Sequence, residues 1–163
     1  MRSGGTTHKL QALLGDRSVL QHTLDAVKAS GLRWHLEDAG HAGMGDSIAA
    51  AVRATQDASG WLVVLGDSPL VKAATLRTLA GLLVNHPVVI PVWQGQRGHP
   101  VGFSAVCLSS LLELQGDRGA ASVVKKFGAL EVQIDDAGIV FDVDTVEDLA
   151  RDQSNHAFFK QLR

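Results

Sequence analysis

The sequence alternates short apolar runs with segments whose apolar residues recur at helical spacing. Residues 61–65 are apolar at every position, which is typical of a strand buried on both faces of a sheet. Further along the chain, Leu76, Leu79, Ala80 and Leu83 fall on one face of a helix. Strands that alternate with helices of about 10–15 residues are characteristic of α/β domains. The alternation therefore predicts an α/β fold with a mostly parallel sheet.

The same two patterns divide the rest of the chain. They predict helices over 19–28, 48–58, 109–115 and 120–127, and strands over 88–93, 101–106, 130–134 and 139–143. Between Gly31 and Gly43 there is room for at most one strand, at 33–36, and Ala-Gly at 137–138 predicts a hairpin-like reversal. No repeat or linker interrupts the 163 residues, a length typical of one domain. We therefore predict a single domain over residues 1–163.

Composition and charge exclude several classes of protein. Fifteen Lys and Arg against seventeen Asp and Glu give a net charge of −2, whereas domains that bind nucleic acids through charge are usually basic. The apolar runs are too short to cross a bilayer, and the N-terminus lacks the apolar region of a secretory signal. The single cysteine, Cys107, cannot form an internal disulfide or a thiolate metal site. We expect a cytoplasmic protein that binds neither nucleic acid nor membranes.

An open parallel sheet binds its ligand beyond the carboxyl ends of its strands. Asp67 follows the strand predicted at 61–65, within the string L-G-D-S-P. A carboxylate at the end of a buried strand is suited to hold a divalent cation over a bound phosphate. The alternative is an Asx-turn that leads into Pro69, in which Asp67 only binds backbone amides.

A second pair of carboxylates, Asp142 and Asp144, lies near the end of the last predicted strand. The two alternate with apolar residues, so both emerge on one face of a strand. Such neighbours repel each other unless a cation or a lysine compensates their charge. The alternative is a solvated strand that leads into a helix whose start is capped by Thr145 and Asp148.

Two glycine-rich stretches have the backbone freedom that an anion site needs. One opens the alanine-rich helix and contains Gly43, Met44, Gly45 and Ser47. The N-terminus of a helix presents unpaired N–H groups to an anion or to the edge of a base. The alternative is that Asp46 or Ser47 is a plain N-cap.

The other glycine-rich stretch is N-terminal and contains Gly4, Gly5 and Thr6, followed by Lys9. Backbone amides and hydroxyls can surround phosphate oxygens, and an ammonium group neutralises their charge. The stretch is not a Walker A loop, because the string G-x-x-x-x-G-K-[ST] is absent. The alternative is a flexible tail.

A polar loop between two predicted strands contains Arg97 and His99, which suit a phosphate-bearing or anionic partner. The alternative is a β-turn with an incidental histidine. Other catalytic systems do not fit the spacing: the seven histidines form no H-x-x-x-H pair, and the strings G-x-S-x-G and G-x-G-x-x-G are absent.

In this order, the segments resemble the MobA-like nucleotidyltransferases, a family that includes the molybdenum cofactor cytidylyl- and guanylyltransferases. The resemblance spans about residues 3–149. It rests on the strings G-G-T-T-H-K-L, G-M-G-D-S, L-G-D-S-P-L-V, R-G-H-P-V-G-F, G-D-R-G-A and D-V-D-T-V-E-D-L. It implies a Rossmann-like, three-layer nucleotidyltransferase fold.

The resemblance also implies a role for each segment. Lys9 matches the signature lysine that contacts the triphosphate, and residues 43–47 match the loop at the nucleotide base. Asp67 matches the magnesium-binding aspartate, and either Asp142 or Asp144 supplies the second metal contact.

The implied reaction is magnesium-dependent transfer of NMP from CTP or GTP to a phosphorylated acceptor, with release of pyrophosphate. The acceptor would be molybdopterin or the molybdenum cofactor, with a molybdoenzyme as a possible partner protein. Residues 97–100 and 116–120 would lie toward the acceptor.

The chain departs from the family pattern at its start. Family members begin with a strand that leads into an L-A-[AG]-G loop, and neither is present ahead of Gly4. We therefore expect an N-terminally short version of the fold. Two other functions stay open: a non-catalytic nucleotide-binding or molybdoenzyme accessory protein, and a sugar-1-phosphate nucleotidyltransferase.

Overall fold

A computed structural model describes residue 11 and residues 13–141 of the chain. The strands in this part are β1 (Leu13–Leu14), β2 (Arg17–Ser18), β3 (Gly60–Val63), β4 (Val88–Trp93), β5 (Gln96–Arg97), β6 (Val101–Ser104) and β7 (Leu130–Gln133). The helices are α1 (Val19–Ala29), α2 (Met44–Arg53), α3 (Ala73–Leu82), α4 (Leu108–Leu112) and α5 (Ala121–Phe127). Single 3-10 turns cover Ala105–Cys107 and Ala137–Ile139.

Five strands form one open sheet with the order β3-β6-β4-β5, and β7 pairs with β4. The pairing of β4 with β7 is parallel, whereas β6 pairs antiparallel with both β3 and β4, and β5 pairs antiparallel with β4. Strands β3, β4 and β7 therefore run in one direction, and β5 and β6 run in the other. The predicted α/β class is confirmed, with a mixed sheet in the described part of the chain.

Helices cover both faces of this sheet. One core cluster joins α2, α4 and α5 to strands β4 and β6, and its buried members are Ile48, Val52, Val88, Ile90, Phe103, Cys107, Leu111 and Val123. Side chains alternate along a strand, so the buried Val89 faces the opposite side from Val88 and Ile90. On that side α3 packs against β3 and β4, and α1 packs against α3. The predicted three-layer arrangement is confirmed.

One predicted strand is wrong, and one segment that left room for a strand does not form one. Residues 33–36, where the sequence allowed at most one strand, have no regular secondary structure. The strand predicted at 139–143 is replaced, over the part described, by the 3-10 turn at Ala137–Ile139, which also takes the place of the predicted reversal at 137–138. The Asp136 side chain causes this turn by accepting a hydrogen bond from the Gly138 amide, at 2.9 Å.

Of the apolar run predicted as a strand at 61–65, residues 61–63 lie in β3 and the other two follow it, and the run is only half-buried. Among the described residues β3 pairs with β6 alone, so one of its edges lacks a neighbouring strand in this part of the chain. An apolar run predicts burial, but whether a strand is central or at an edge depends on its neighbours. In the described part of the chain, no helix combines the length and hydropathy needed to cross a membrane.

Helix α1 fixes the turn that follows β3. Its start is a capping box, in which the Ser18 hydroxyl accepts from the Gln21 amide and the Gln21 side chain accepts from the Ser18 amide. One turn later, the buried Thr23 hydroxyl donates to the carbonyl oxygen of Gly66 at 2.8 Å. Gly66, the residue before Asp67, is therefore anchored to α1.

Candidate functional site

Three segments far apart in the sequence line one pocket of about 230 Å³. They are the turn after β3, the loop after β5, and the stretch that follows the Ala137–Ile139 turn. The lining residues are Leu65, Ser68, Gln96, Arg97, Gly98, His99, Ile139, Val140 and Phe141. Two of these segments carry residues that the sequence nominated, and the third leads directly into Asp142.

Backbone contacts hold the loop after β5 against the third segment. The His99 amide donates to the carbonyl oxygen of Ile139 at 2.8 Å, and the Gly98 amide donates to the carbonyl oxygen of Pro91 at 2.8 Å. A Cβ atom on Gly98 would overlap the Ile139 carbonyl oxygen, so glycine is required for this approach. The peptide bond between His99 and Pro100 is cis.

Asp67 and His99, nominated separately by the sequence, interact electrostatically in the structure. The imidazole of His99 is accessible in the pocket, but the surrounding protein displaces part of its hydration, and this desolvation lowers its pKa. The negative charge of Asp67 opposes that effect and raises the pKa of His99 in part. His99 is therefore largely neutral at physiological pH, and it contributes a hydrogen-bonding group to the pocket rather than a fixed charge.

Arg97 lines the same pocket and also pairs with a strand of the sheet. Its guanidinium lies 2.6 Å from the Glu131 carboxylate on β7, measured from Nη2 to Oε2. Both side chains are exposed, and an exposed ion pair of this kind contributes about 0–1 kcal/mol. Arg97 can therefore exchange this partner for an anion in the pocket at small cost.

The carboxylate chemistry at this end of the sheet suits a hard divalent cation. Asp67 is the described member of the predicted metal set, and Asp142 and Asp144 lie outside the described residues. Over residue 11 and residues 13–141, no group of three metal-ligating side chains forms.

The nominated N-terminal residues also lie outside the described residues, as the structure describes residue 11 and residues 13–141. They are Gly4, Gly5, Thr6 and Lys9. Their assignment stays a prediction.

The glycine-rich start of α2 packs against another loop, which the sequence did not predict. The Gly45 amide donates to the carbonyl oxygen of Gly116 at 2.7 Å, and the Asp46 carboxylate accepts from the Gly116 amide at 3.2 Å. A Cβ atom on Gly43 would overlap the Gly116 carbonyl oxygen. These glycines are thus required for close packing of two loops. The two loops lie outside the lining of the pocket described above.

The proposed alternative for this segment, an N-cap at Asp46 or Ser47, is wrong. Helix α2 begins at Met44, its N-cap is Gly43, and that residue makes no side-chain capping bond. The Asp46 side chain bonds to the neighbouring loop instead. The Met44 side chain is 42% exposed, so it is accessible to a ligand beside these loops.

Sequence reasoning missed Asp136. This carboxylate is 2% exposed and accepts hydrogen bonds from the amides of Lys72 and Gly138 and from the Thr75 hydroxyl. The string D-A-G after a predicted strand is a local signal for an Asx-turn. Its partners Lys72 and Thr75 lie 64 and 61 residues away in the sequence, and no local pattern predicts these two contacts.

Comparison with known protein families matches residues 18–132 to the MobA-like NTP transferase domain. The chain belongs to the MobA-like NTP transferase family. This family comprises nucleotidyltransferases, as the resemblance of the motifs implied. The family match includes the Asp67 turn and the loop that carries Arg97 and His99.

Individual proteins are similar to this chain in sequence or in structure. The chain is 31% identical over 124 residues to the purine catabolism protein PucB of Bacillus subtilis. The matched region covers 71% of this chain and 60% of the length of PucB. The crystal structure of Rv0371c from Mycobacterium tuberculosis is 25% identical, with a TM-score of 0.73 over 88% of this chain and 87% of that one. A manganese complex of Rv0371c is 24% identical, covers 88% and 90% of the two chains, and has a TM-score of 0.69.

The packing of Gly43 against Gly116 makes a first prediction. Gly43→Ala places a methyl group onto the Gly116 backbone, and relief of that overlap should cost about 1–3 kcal/mol in the free energy of unfolding. Gly40→Ala is the matched control, because a Cβ there has no neighbour within 4 Å among the described residues. Urea denaturation of both variants measures the difference. Equal stability of the two variants would contradict the loop contact.

The desolvated imidazole of His99 makes a prediction about pH. Its folded pKa lies below the unfolded value of about 6.5, so the unfolded chain binds more protons as the pH falls through that range. The contribution of His99 to stability is complete above the unfolded pKa and is lost as the pH falls toward the folded pKa. Replacing His99 with Gln should therefore flatten the decline in the free energy of unfolding between pH 7.5 and 5.5, measured by urea titration. Parallel curves for the two proteins would contradict the lowered pKa.

Proposed function

We propose that this protein is a cytoplasmic nucleotidyltransferase, a single domain over residues 1–163, that transfers NMP from CTP or GTP to a phosphorylated small-molecule acceptor. The observation that carries the proposal is the convergence of the Asp67 turn, the R-G-H-P loop and residues 139–141 at one pocket. The acceptor class proposed is molybdopterin, because the matching motifs resemble enzymes that modify it. A molybdoenzyme that receives the product is the proposed partner protein.

The reaction needs positioning rather than a protein nucleophile. A phosphate oxygen of the acceptor attacks the α-phosphorus of the nucleotide, a new P–O bond forms, and the bond to the β-phosphate breaks as pyrophosphate leaves. This course fits a pocket lined by polar groups and a backbone loop, and it is compatible with the absence of a serine or cysteine nucleophile motif.

Each nominated residue has a role in binding or orientation. Asp67, with Asp142 or Asp144, would hold a divalent cation, proposed to be Mg²⁺. When bound, that cation supplies positive charge to the phosphate oxygens. Lys9 would add a second positive charge at the triphosphate.

The remaining nominated residues would bind the nucleotide and the acceptor. Backbone amides of the Gly4, Gly5 and Thr6 stretch would surround phosphate oxygens. His99, mostly neutral, would offer one hydrogen bond beside them without adding charge.

Arg97 would bind an acceptor phosphate after release from Glu131. At the start of α2, the Gly45 amide is already bonded to Gly116, so the base would be contacted by other groups of Gly43, Met44 and Ser47.

The proposal predicts that Asp67→Asn abolishes cation-dependent turnover while the fold is retained. Loss of the charge that holds the cation should lower kcat by about 100-fold or more. The variant should unfold at nearly the same temperature as the wild type, since Asp67 lies in a half-buried turn outside the core. Asp16→Asn, in the exposed turn between β1 and β2, is the matched control and should retain full turnover. Undiminished turnover in Asp67→Asn would overturn the assignment.

A binding experiment tests the nucleotide and the cation separately. We expect CTP or GTP to raise the unfolding temperature only when Mg²⁺ or Mn²⁺ is present. The gain corresponds to about 2.7 kcal/mol at a nucleotide concentration near one hundred times Kd. A shift with one nucleotide alone assigns the base. No shift with any nucleotide would contradict the proposal and favour a non-catalytic accessory protein, and turnover with sugar phosphates would favour the sugar-1-phosphate alternative.

A further inference from the structure

Asp136 is a buried carboxylate whose oxygens bond to two separate segments. Its Oδ2 accepts from the Thr75 hydroxyl at 2.7 Å and from the Lys72 amide at 3.0 Å. Its Oδ1 accepts from the Gly138 amide at 2.9 Å. With 2% of the residue exposed, these bonds replace its hydration almost entirely.

The first of these segments is the start of α3, which follows the Asp67 turn. The N-cap of α3 is Lys72, which makes no side-chain capping bond. Asp136 bonds instead to the amide of this N-cap residue and to the Thr75 hydroxyl in the first turn. It also places a carboxylate near the N-terminus of α3, where the helix dipole favours negative charge. Four residues lie between Asp67 and Lys72, and Ser68, Leu70 and Val71 among them are buried. A fixed start of α3 thus fixes the end of the turn.

The second segment is the 3-10 turn Ala137–Ile139, whose Gly138 amide is bonded to Asp136. A Cβ atom on Gly138 would overlap the carbonyl oxygen of Leu70, so the backbones of the two segments are in direct contact. The carbonyl oxygen of Ile139 then accepts from the His99 amide, which joins the third wall of the pocket. Asp136 thus holds together the segments around the pocket, although it does not line it.

We infer that Asp136 is a positioning residue that fixes the Asp67 turn relative to the Ala137–Ile139 turn, which leads into the third wall of the pocket. The inference rests on the proposed function, since it assigns the bound cation–nucleotide complex to the pocket beside Asp67. The affinity of the protein for that complex depends on the separation of these two turns. Asp136 sets this separation through hydrogen bonds that neither segment makes on its own.

The test uses Asp136→Asn with Asp135→Asn as the matched control. Asp135 is the exposed neighbour, so the same chemical change is made one residue away. In Asp136→Asn one acceptor oxygen becomes an NH₂ group, which cannot accept the bonds that its site requires. We expect the Kd for Mg·CTP or Mg·GTP, and the Mg²⁺ concentration for half-maximal turnover, to rise about tenfold or more. At saturating Mg²⁺, kcat should return to within about threefold of wild type.

A second pair of variants covers the case in which Asp136→Asn does not fold. Thr75→Ser keeps the hydroxyl donor to Asp136 and should bind the nucleotide as the wild type does. Thr75→Val keeps the shape but removes the donor, so it should weaken binding in the same direction as Asp136→Asn.

The outcomes distinguish failure of this inference from failure of the proposed function. A lower unfolding temperature with unchanged Kd and Mg²⁺ dependence, in Asp136→Asn or Thr75→Val, would reduce Asp136 to a stabilising residue and overturn the inference. A wild-type protein that binds no nucleotide with any cation would overturn the proposed function, and the inference with it.

Discussion

The candidate site depends on close contacts between backbones at positions where a side chain would overlap its neighbour. Gly98 contacts Ile139, Gly138 contacts Leu70, and Gly43 contacts Gly116, each at the carbonyl group of its partner. Loops joined in this way contact each other through atoms that have no rotamer freedom. Their relative position is therefore set by the main chain. The chain has 17 glycines in 163 residues, above the average of about 7%, and these contacts account for part of that excess.

Polar groups around the pocket differ in how far they are buried. Asp136 is nearly inaccessible to solvent and is bonded to three donors, whereas Arg97 and Glu131 form an exposed pair that water can replace. A buried carboxylate that loses a donor costs about 1–3 kcal/mol or more, while an exposed pair contributes at most about 1 kcal/mol. The framework around the pocket is thus held by buried hydrogen bonds that are costly to break, whereas the pocket itself presents groups that can change partners. This division suits a protein that binds and releases a charged substrate.

Much of the fold was predictable from periodicity, and each failure has a physical cause. The helix predicted at 19–28 is observed at Val19–Ala29, and the strand predicted at 88–93 is observed at Val88–Trp93. Both have a strong local pattern, and β4 is also central in the sheet, where it pairs with β5, β6 and β7. The strand predicted at 139–143 failed because a side chain just before it, Asp136, favours a 3-10 turn over an extended backbone. The strand predicted at 61–65 is observed at Gly60–Val63. Apolar composition could not predict that only one edge of β3 is paired among the described residues.

The sequence alone determined the alternation of strands and helices, the family, and the residue types suited to phosphate and cation chemistry. These follow from local spacing, because periodicity and motif strings are properties of neighbouring residues. The tertiary structure decided which of these residues meet. It brought Asp67 near His99 and joined the start of α2 to the loop at Gly116. It also used Asp136 to hold segments more than 60 residues apart. Contacts across such separations depend on the packing of the whole sheet and its helices, which no local pattern encodes.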